Sequence, residues 1–120
     1  FTTGQPWFAL NPNYPTINAA DQLDQDDSVF NYYRRLIALR HSSDLIVLGS
    51  YEELDPKDDQ VFAYKRHYQG QTLLVMSNFT DQTVTRDYGQ AKASERLIGN
   101  YADDQGTTLR PYETKVYVFK

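Results

Sequence analysis

The chain has 120 residues, of which 40% are hydrophobic and 14% aromatic, which is enough apolar material for a packed core rather than a disordered tail. A net charge of −4 without a basic stripe argues against a nucleic-acid partner. Cysteine is absent, which excludes disulfides and thiolate metal sites, and no apolar run is long enough to span a membrane. The sequence starts at Phe1 without a start methionine or a signal peptide, so we expect a piece of a longer protein.

The first segment, PWFALNPNYPTIN at residues 6–18, is predicted to be an irregular loop. Proline removes a backbone donor and restricts the residue before it, and Asn-Pro followed by Asn-Tyr-Pro is typical of successive turns. Large aromatic side chains in such a loop indicate that it is held against another surface, often at the border of a site.

A helix is predicted over residues 28–41, where Ser28 is the N-cap and Arg40 and His41 end the pattern. One half of its wheel is apolar and consists of Val29, Phe30, Tyr32, Tyr33, Leu36, Ile37 and Leu39. Arg40 falls inside that half, so it is either buried against a carboxylate or carbonyls or lays its stem along apolar surface with its head in water. A helix this short requires a large partner for its apolar face.

After Leu45 the apolar period changes to that of strands, and turn residues recur about every 8–12 positions, as in an antiparallel sandwich or barrel. The predicted strands are LIVLGSYEEL, QVFAYKRHY, QTLLVMSNF, TVTRDY, ERLIGNY, TTLR and YETKVYVFK. A turn at Gln69-Gly70 predicts a hairpin. Residues 61–64 and 73–76 are apolar at successive positions, which predicts central strands covered on both faces.

The sequence shows no convincing catalytic constellation. His41 and His67 lack triad-like partners and metal-ligand spacing, so we expect structural roles for both. Adjacent acids are interpreted as solvated turn residues, and they are Asp26-Asp27, Glu52-Glu53, Asp58-Asp59 and Asp103-Asp104. The glycosylation sequon at Asn78 is interpreted as a chance match, and most of the ten tyrosines are expected to fill the sheet core or an interface rather than stack on sugar.

Five segments resemble, in order and over the whole chain, the C-terminal part of bacterial α-glucosidases of glycoside hydrolase family 13. They are FTTGQPWFALNPNYPTIN, SVFNYYRRLIALRHSSDLIVLGSYEEL, VFAYKR, LLVMSNF and LRPYETKVY. The resemblance is strongest to the group of oligo-1,6-glucosidases, dextran glucosidases and trehalose-6-phosphate hydrolases. It implies a mainly β fold, in which a loop and the last helix of a TIM barrel precede an antiparallel, Greek-key-like C-terminal β-sandwich.

The same resemblance implies that residues 1–45 end the catalytic (β/α)8 barrel and that residues 46–120 form the C-terminal all-β domain. The opening loop would lie on the barrel rim, where barrel enzymes build their sites. Trp7, Phe8 and Tyr14 are then expected to anchor this loop against the rest of the barrel, and direct contact with sugar is the alternative. The family uses an Asp nucleophile and a Glu acid/base, but their motifs are absent, so no catalytic residue, metal site or cofactor is assigned.

The implied parent is a cytoplasmic enzyme that hydrolyses terminal α-1,6 or α-1,4 glucosidic bonds of short oligosaccharides. The chain itself is expected to be structural and inactive, with the missing catalytic barrel as its partner and oligosaccharide reached only through the parent. A non-catalytic carbohydrate-binding β module and the tail of a trehalose-6-phosphate hydrolase are the alternatives. Without the barrel, the helix face from Val29 to Leu39 is expected to fold onto the sandwich or to associate with a second copy.

Overall fold

The computed structural model describes residues 3–120 and divides the chain into two compact units, Phe1–Ile37 and Ala38–Lys120. Strands predominate over helices, and every strand pair is antiparallel. The mainly β, antiparallel fold predicted from the sequence is therefore confirmed. None of the helices within residues 3–120 has the length and apolar character needed to cross a membrane.

The first unit opens with the predicted irregular loop, which runs through successive turns; one of them is closed by a hydrogen bond from the Tyr14 amide to the Asn11 carbonyl at 3.1 Å. A short helix, α1 (Ala19–Gln22), follows and was not predicted. Asn18 is its N-cap, because the side-chain oxygen of Asn18 accepts the Asp21 amide at 2.9 Å.

Helix α2 (Val29–Ser42) confirms the predicted helix and begins at the predicted N-cap, where Ser28 Oγ accepts the Asn31 amide at 3.2 Å. Asn31 is not a member of the apolar half of the predicted wheel, yet its side chain is buried. Its Nδ2 donates to three backbone carbonyls of the preceding turn at 2.9–3.0 Å. These carbonyls belong to Gln22, Leu23 and Gln25. One amide side chain therefore organises the turn between α1 and α2.

The second unit contains a five-stranded sheet in the order β1-β2-β3-β7-β5 and a two-stranded sheet of β4 and β6. The strands are β1 (Ser50–Leu54), β2 (Val61–Tyr68), β3 (Gln71–Asn78), β4 (Val84–Thr85), β5 (Glu95–Gly99), β6 (Thr108–Leu109) and β7 (Thr114–Phe119). Gln69 and Gly70 connect β2 to β3 with positive φ angles of 48° and 80°, as a two-residue hairpin turn requires. The predicted hairpin is confirmed.

The five-stranded sheet is apolar on both faces, and each face has its own cluster. One cluster joins this sheet to the two-stranded sheet and contains Val61, Ala63, Leu74, Met76, Tyr117, Val84 and Leu109. The cluster on the opposite face contains Leu73, Val75, Val116, Val118 and Leu45, the last from helix α3 (Asp44–Leu48). Residues 73–76 are all buried, so β3 is the central strand that was predicted.

Two strand predictions are wrong. Residues 44–48 form α3 rather than the first half of a strand, since a short apolar run suits either structure and here the helical turn places Leu45 on the sheet. Gly49 follows α3, and a Cβ at that position would collide with the carbonyl oxygen of Leu45. Phe62 was expected to be covered, but it is 42% exposed because its part of β2, next to the edge strand β1, lies beyond the area that α3 covers.

Candidate functional site

An apolar groove of about 590 Å³ lies in the first unit. Its lining includes Ile17, Ala19, Gln22, Val29, Phe30, Tyr33, Arg34 and Ile37. Apart from Arg34, the side chains that the helix contributes belong to the half of the wheel that was predicted to be apolar, and they are open to solvent; Val29, for example, is 67% exposed. A contiguous exposed apolar surface of this kind marks an interaction site.

In the described part of the first unit, the side chains that are buried are polar. Between residues 3 and 37 the buried side chains are those of Ser28 and Asn31, and the buried hydrophobic residues of the described chain all lie at or after Leu45. Packing of an apolar face normally supplies most of the stability of a protein helix, and residues 29–37 of the first unit lack that packing. Arg40, which follows in the second unit, is exposed, so the first of its two predicted alternatives, a buried charge pair, is wrong for this chain.

The three aromatic residues predicted to anchor the opening loop lie at the surface of the first unit. Trp7 and Phe8 are 93% and 73% exposed, and their rings contact each other with centroids 4.9 Å apart. Tyr14 is also exposed. The described part of the first unit therefore does not bury the Trp7–Phe8 pair, and the anchoring role stays a prediction.

One acid that was interpreted as a solvated turn residue forms a structural ion pair. Asp58 accepts from Arg86 through both carboxylate oxygens, at 2.6 Å from Nε and 3.2 Å from Nη2. The same carboxylate accepts the backbone amides of Gln60 and Val61 at 2.9 and 3.1 Å. These hydrogen bonds, the one from Arg86 foremost, lower the pKa of Asp58 to about 2. The solvated interpretation is therefore wrong, because Asp58 ties the β1–β2 turn to the residue after β4.

A buried charge cluster surrounds Lys115 of β7, whose side chain is fully buried. Its Nζ donates to Asp104 Oδ1 and the Gly106 carbonyl at 3.0 Å and to the Thr108 carbonyl at 2.8 Å. Tyr117 Oη donates to both carboxylate oxygens of Asp104 at 2.9 Å. Burial would raise the pKa of Asp104, but these hydrogen bonds outweigh burial and hold it below its usual range.

Glu113 is the second fully buried charge of this cluster. Its carboxylate accepts the backbone amide of Arg110 at 2.7 Å and the guanidinium at 2.8 and 3.1 Å, and Lys115 Nζ lies 3.7 Å away. Burial would raise the pKa of Glu113, but Arg110 and Lys115 keep it low. Arg110 also pairs with Asp103 at 2.7 Å. Asp103 pairs with Arg110 but keeps 64% of its side chain exposed, as expected of a solvated turn acid. For Asp104 the solvated interpretation is incomplete, because its carboxylate is bound by Lys115 and Tyr117.

The remaining residues singled out from the sequence occupy the surface or a structural position. His67 contacts Glu52 at 2.8 Å and Thr72 Oγ1 at 3.0 Å, in an exposed pair on neighbouring strands. His41 is exposed on α2. Asn78 of the sequon is buried and donates its side-chain amide to three backbone carbonyls, so this amide is committed to the fold.

The charged residues described above form ion pairs and hydrogen bonds within the second unit. Within residues 3–120 no group of three or more His, Asp or Glu side chains is arranged to hold a metal ion. The carboxylates of Asp58, Asp104 and Glu113 are bound by cationic side chains that lower their pKa, whereas a glycosidic general acid requires a raised pKa. These ion pairs stabilise the second unit, and the groove of the first unit can receive an apolar surface.

Comparison with known proteins gives the family. Residues 1–49 match the family model of the alpha-amylase catalytic domain, and residues 51–116 match that of the maltogenic amylase C-terminal domain. Among curated proteins, the chain is 40% identical over its whole length to an oligo-1,6-glucosidase of Bacillus cereus and 42% identical over 98% of its length to one of Heyndrickxia coagulans. It is 36% identical over 94% of its length to the trehalose-6-phosphate hydrolase of Escherichia coli strain K12. The chain spans only 21–23% of the length of these three proteins.

Solved structures agree with this placement. The isomaltulose synthase from Klebsiella sp. LX3 superposes with a TM-score of 0.91 at 36% identity, covering 100% of this chain and 23% of that protein. The trehalulose synthase MutB from Pseudomonas mesoacidophila MX-45 superposes with a TM-score of 0.89 at 36% identity over the same shares. The resemblance to the C-terminal part of family 13 α-glucosidases is confirmed. The chain belongs to the maltogenic amylase C-terminal domain family, with part of an alpha-amylase catalytic domain in front, as in the oligo-1,6-glucosidases of glycoside hydrolase family 13.

Proposed function

We propose that the chain is the C-terminal part of an α-glucosidase that hydrolyses terminal α-1,6, or α-1,4, glucosidic bonds of short oligosaccharides by a retaining mechanism. This proposal is supported by four relatives from different species, all named oligo-1,6-glucosidase. Each is 40–42% identical to this chain over at least 98% of its length. Retaining hydrolysis requires two carboxylates about 5–5.5 Å apart on either side of the scissile bond, one of them with a raised pKa. Those carboxylates belong to the catalytic barrel, so the chain alone is structural and inactive.

The structural observation that supports the place of this chain beside a catalytic barrel is the apolar surface of the first unit. The groove-lining side chains of α2 are exposed, while the buried side chains between residues 3 and 37 are polar. This is what the last helix of a barrel is expected to look like when its barrel is missing. Residues 1–45 accordingly complete the catalytic barrel with a rim loop and the final helix, and residues 46–120 form the C-terminal domain.

The barrel is the natural occupant of the groove. Full burial of a large apolar side chain is worth roughly 1.5–3 kcal/mol, and the four that α2 places there are 36–67% exposed, so covering them is worth about 3–7 kcal/mol together. They are Val29, Phe30, Tyr33 and Ile37. In the same setting Trp7, Phe8 and Tyr14 anchor the opening loop to the barrel rim. In the isolated chain this helix face, from Val29 to Leu39, instead drives association with a second copy.

The further assignments follow the family resemblance. The parent acts in the cytoplasm on oligosaccharides, requires no cofactor, and has no nucleic-acid or membrane partner. A trehalose-6-phosphate hydrolase is the second candidate, because relatives of that name from Escherichia coli and Bacillus subtilis are 36% and 40% identical to the chain. The residues that separate these substrates lie in the catalytic barrel.

The test uses the full-length protein and the 120-residue chain, purified in the same way. Each is given isomaltotriose, maltotriose, trehalose 6-phosphate and sucrose, and glucose release is followed by an enzymatic assay. We expect the full-length protein to act fastest on isomaltotriose and the chain to release no glucose. Faster cleavage of trehalose 6-phosphate would select the second candidate, whereas isomerisation of sucrose without hydrolysis, or glucose release by the chain itself, would overturn the proposal.

A further inference from the structure

The sheet face that carries Leu45 is only partly covered within the second unit. At one end α3 lies on the face, and Leu45 joins the apolar cluster of β3 and β7. At the other end the rings of Tyr51 and Phe62 flank that of Tyr64, with centroid distances of 5.3 and 5.6 Å. Tyr51 is 53% exposed and Phe62 42% exposed. We call these three residues the aromatic patch.

Strand register places the aromatic patch on the same face as the cluster beneath α3. Tyr64 is paired with Val75, a member of that cluster, and Tyr64 itself packs against the cluster. Tyr51 is paired with Arg66, and the Arg66 guanidinium donates to the Gly49 carbonyl at the end of α3 at 2.7 Å. The aromatic patch is therefore continuous with the surface on which α3 sits.

The contact between α3 and the sheet joins the two segments that match different family models. Leu45 lies in residues 1–49, which match the catalytic domain, whereas the sheet lies in residues 51–116, which match the C-terminal domain. A (β/α)8 barrel takes roughly 250 residues, so residues 1–49 supply only a fraction of one. At this interface α3, a small element of the segment that matches the catalytic domain, covers part of the sheet face. The aromatic patch next to α3 on the same face is uncovered.

Aromatic residues are enriched at the centres of protein interfaces, and exposed contiguous patches of them mark interaction surfaces. We infer that the aromatic patch is the continuation of the domain interface and seats the part of the catalytic domain that lies outside these 120 residues. This inference rests on the proposed function, since it takes the full-length protein to contain such a domain. The patch then fixes the C-terminal domain against the catalytic body through Tyr51, Phe62 and Tyr64, in addition to Leu45.

Hydroxyl-radical footprinting with mass spectrometry tests the inference without any substitution. The 120-residue chain and the full-length protein are oxidised in parallel, and the rates at Tyr51 and Phe62 are compared with those at Phe79 and Tyr112, which are exposed elsewhere on the second unit. We expect the two patch residues to react several-fold more slowly in the full-length protein and the two control residues to react equally in both. Equal rates at Tyr51 and Phe62 in both proteins would overturn the inference.

Two further outcomes identify a different occupant and also overturn it. Protection in the 120-residue chain that grows with protein concentration would mean that a second copy covers the patch. Protection of the chain by isomaltotriose or maltotriose would mean that the patch is a sugar platform. An active hydrolase with unprotected patch residues would refute this inference alone, whereas protected residues in a full-length protein that cleaves no glucoside would refute the proposed function alone.

Discussion

Replacing Asp58 by Asn removes the charge of the Asp58–Arg86 pair while it keeps an oxygen that can accept the amides of Gln60 and Val61. The pKa of Asp58 falls from the ordinary 3.8 to about 2, which corresponds to about 2 kcal/mol of stability at pH 7. Solvent screening reduces this figure, because the Arg86 side chain is 27% exposed and that of Asp58 10% exposed. We therefore expect Asp58→Asn to lower the free energy of unfolding of the second unit by about 1–2 kcal/mol.

The sign of the pH dependence follows from the lowered pKa. A carboxylate that is more acidic in the folded state stabilises the fold above its unfolded pKa and loses that contribution as the pH falls through the folded pKa. The difference between wild type and Asp58→Asn should be complete at pH 7 and reduced to about half at pH 3. Urea unfolding followed by far-UV circular dichroism measures it as a midpoint shift of about 0.5–1 M at pH 7.

A double-mutant cycle with Arg86→Met separates the ion pair from other effects of each substitution. If the pair acts as described, the second substitution should cost much less once the first is present, with a coupling of about 1 kcal/mol or more. A cost of Asp58→Asn that is the same at pH 3 and pH 7, together with no measurable coupling, would refute the assignment of Asp58 as a structural ion-pair residue.

Three more substitutions test the local arguments. Gly49→Ala should destabilise the second unit by about 1–3 kcal/mol in thermal unfolding, because the added Cβ meets the carbonyl oxygen of Leu45. Asn31→Ala leaves three carbonyls without their donor and should raise amide exchange in the turn before α2, at a cost of about 1–3 kcal/mol to that turn. Glu113→Gln removes the buried carboxylate that binds Arg110, which keeps its second partner Asp103, and should cost about 1.5–3 kcal/mol in urea unfolding at pH 7.

Each of these changes has a matched control at an exposed position. Ser50→Ala, next to Gly49, and His41→Ala, on the same helix as Asn31, alter exposed side chains of the same segments. Glu95→Gln removes the charge of an exposed pair with Lys120. Effects of a control as large as those of its test substitution would contradict the specific contact on which that prediction rests.

Elements with local signals could be predicted from the sequence. The helix was found because its apolar residues recur at helical spacing and Ser28 caps its first turn, and the hairpin was found because Gln69-Gly70 suits a two-residue turn. The apolar groove could be anticipated as an uncovered half-wheel, although α1, which supplies one wall of it, is too short to show a period.

Features that depend on distant partners could not be predicted. Asp58 pairs with Arg86, 28 positions away, and nothing near Asp58 in the sequence distinguishes it from a solvated turn acid. Lys115 looks like the exposed member of an alternating strand, yet its side chain is buried, because the loop between β5 and β6 brings Asp104 to its ammonium. Residues 45–48 suit a strand as well as a helix, and only packing of Leu45 on the sheet decides between the two.

The two units differ in what holds them together, and this difference explains why one chain combines them. The second unit has an apolar cluster on each face of its sheet, and its buried charges, Lys115 and Glu113, have counter-charges. The first unit has hydrogen-bonded turns around Asn31 but no buried hydrophobic residue between residues 3 and 37. Hydrogen bonds contribute only about 1 kcal/mol each after competition with water, less than the backbone entropy that each ordered residue loses. The second unit therefore carries its own core, whereas the hydrogen bonds of the first unit, between residues 3 and 37, are not backed by buried apolar surface.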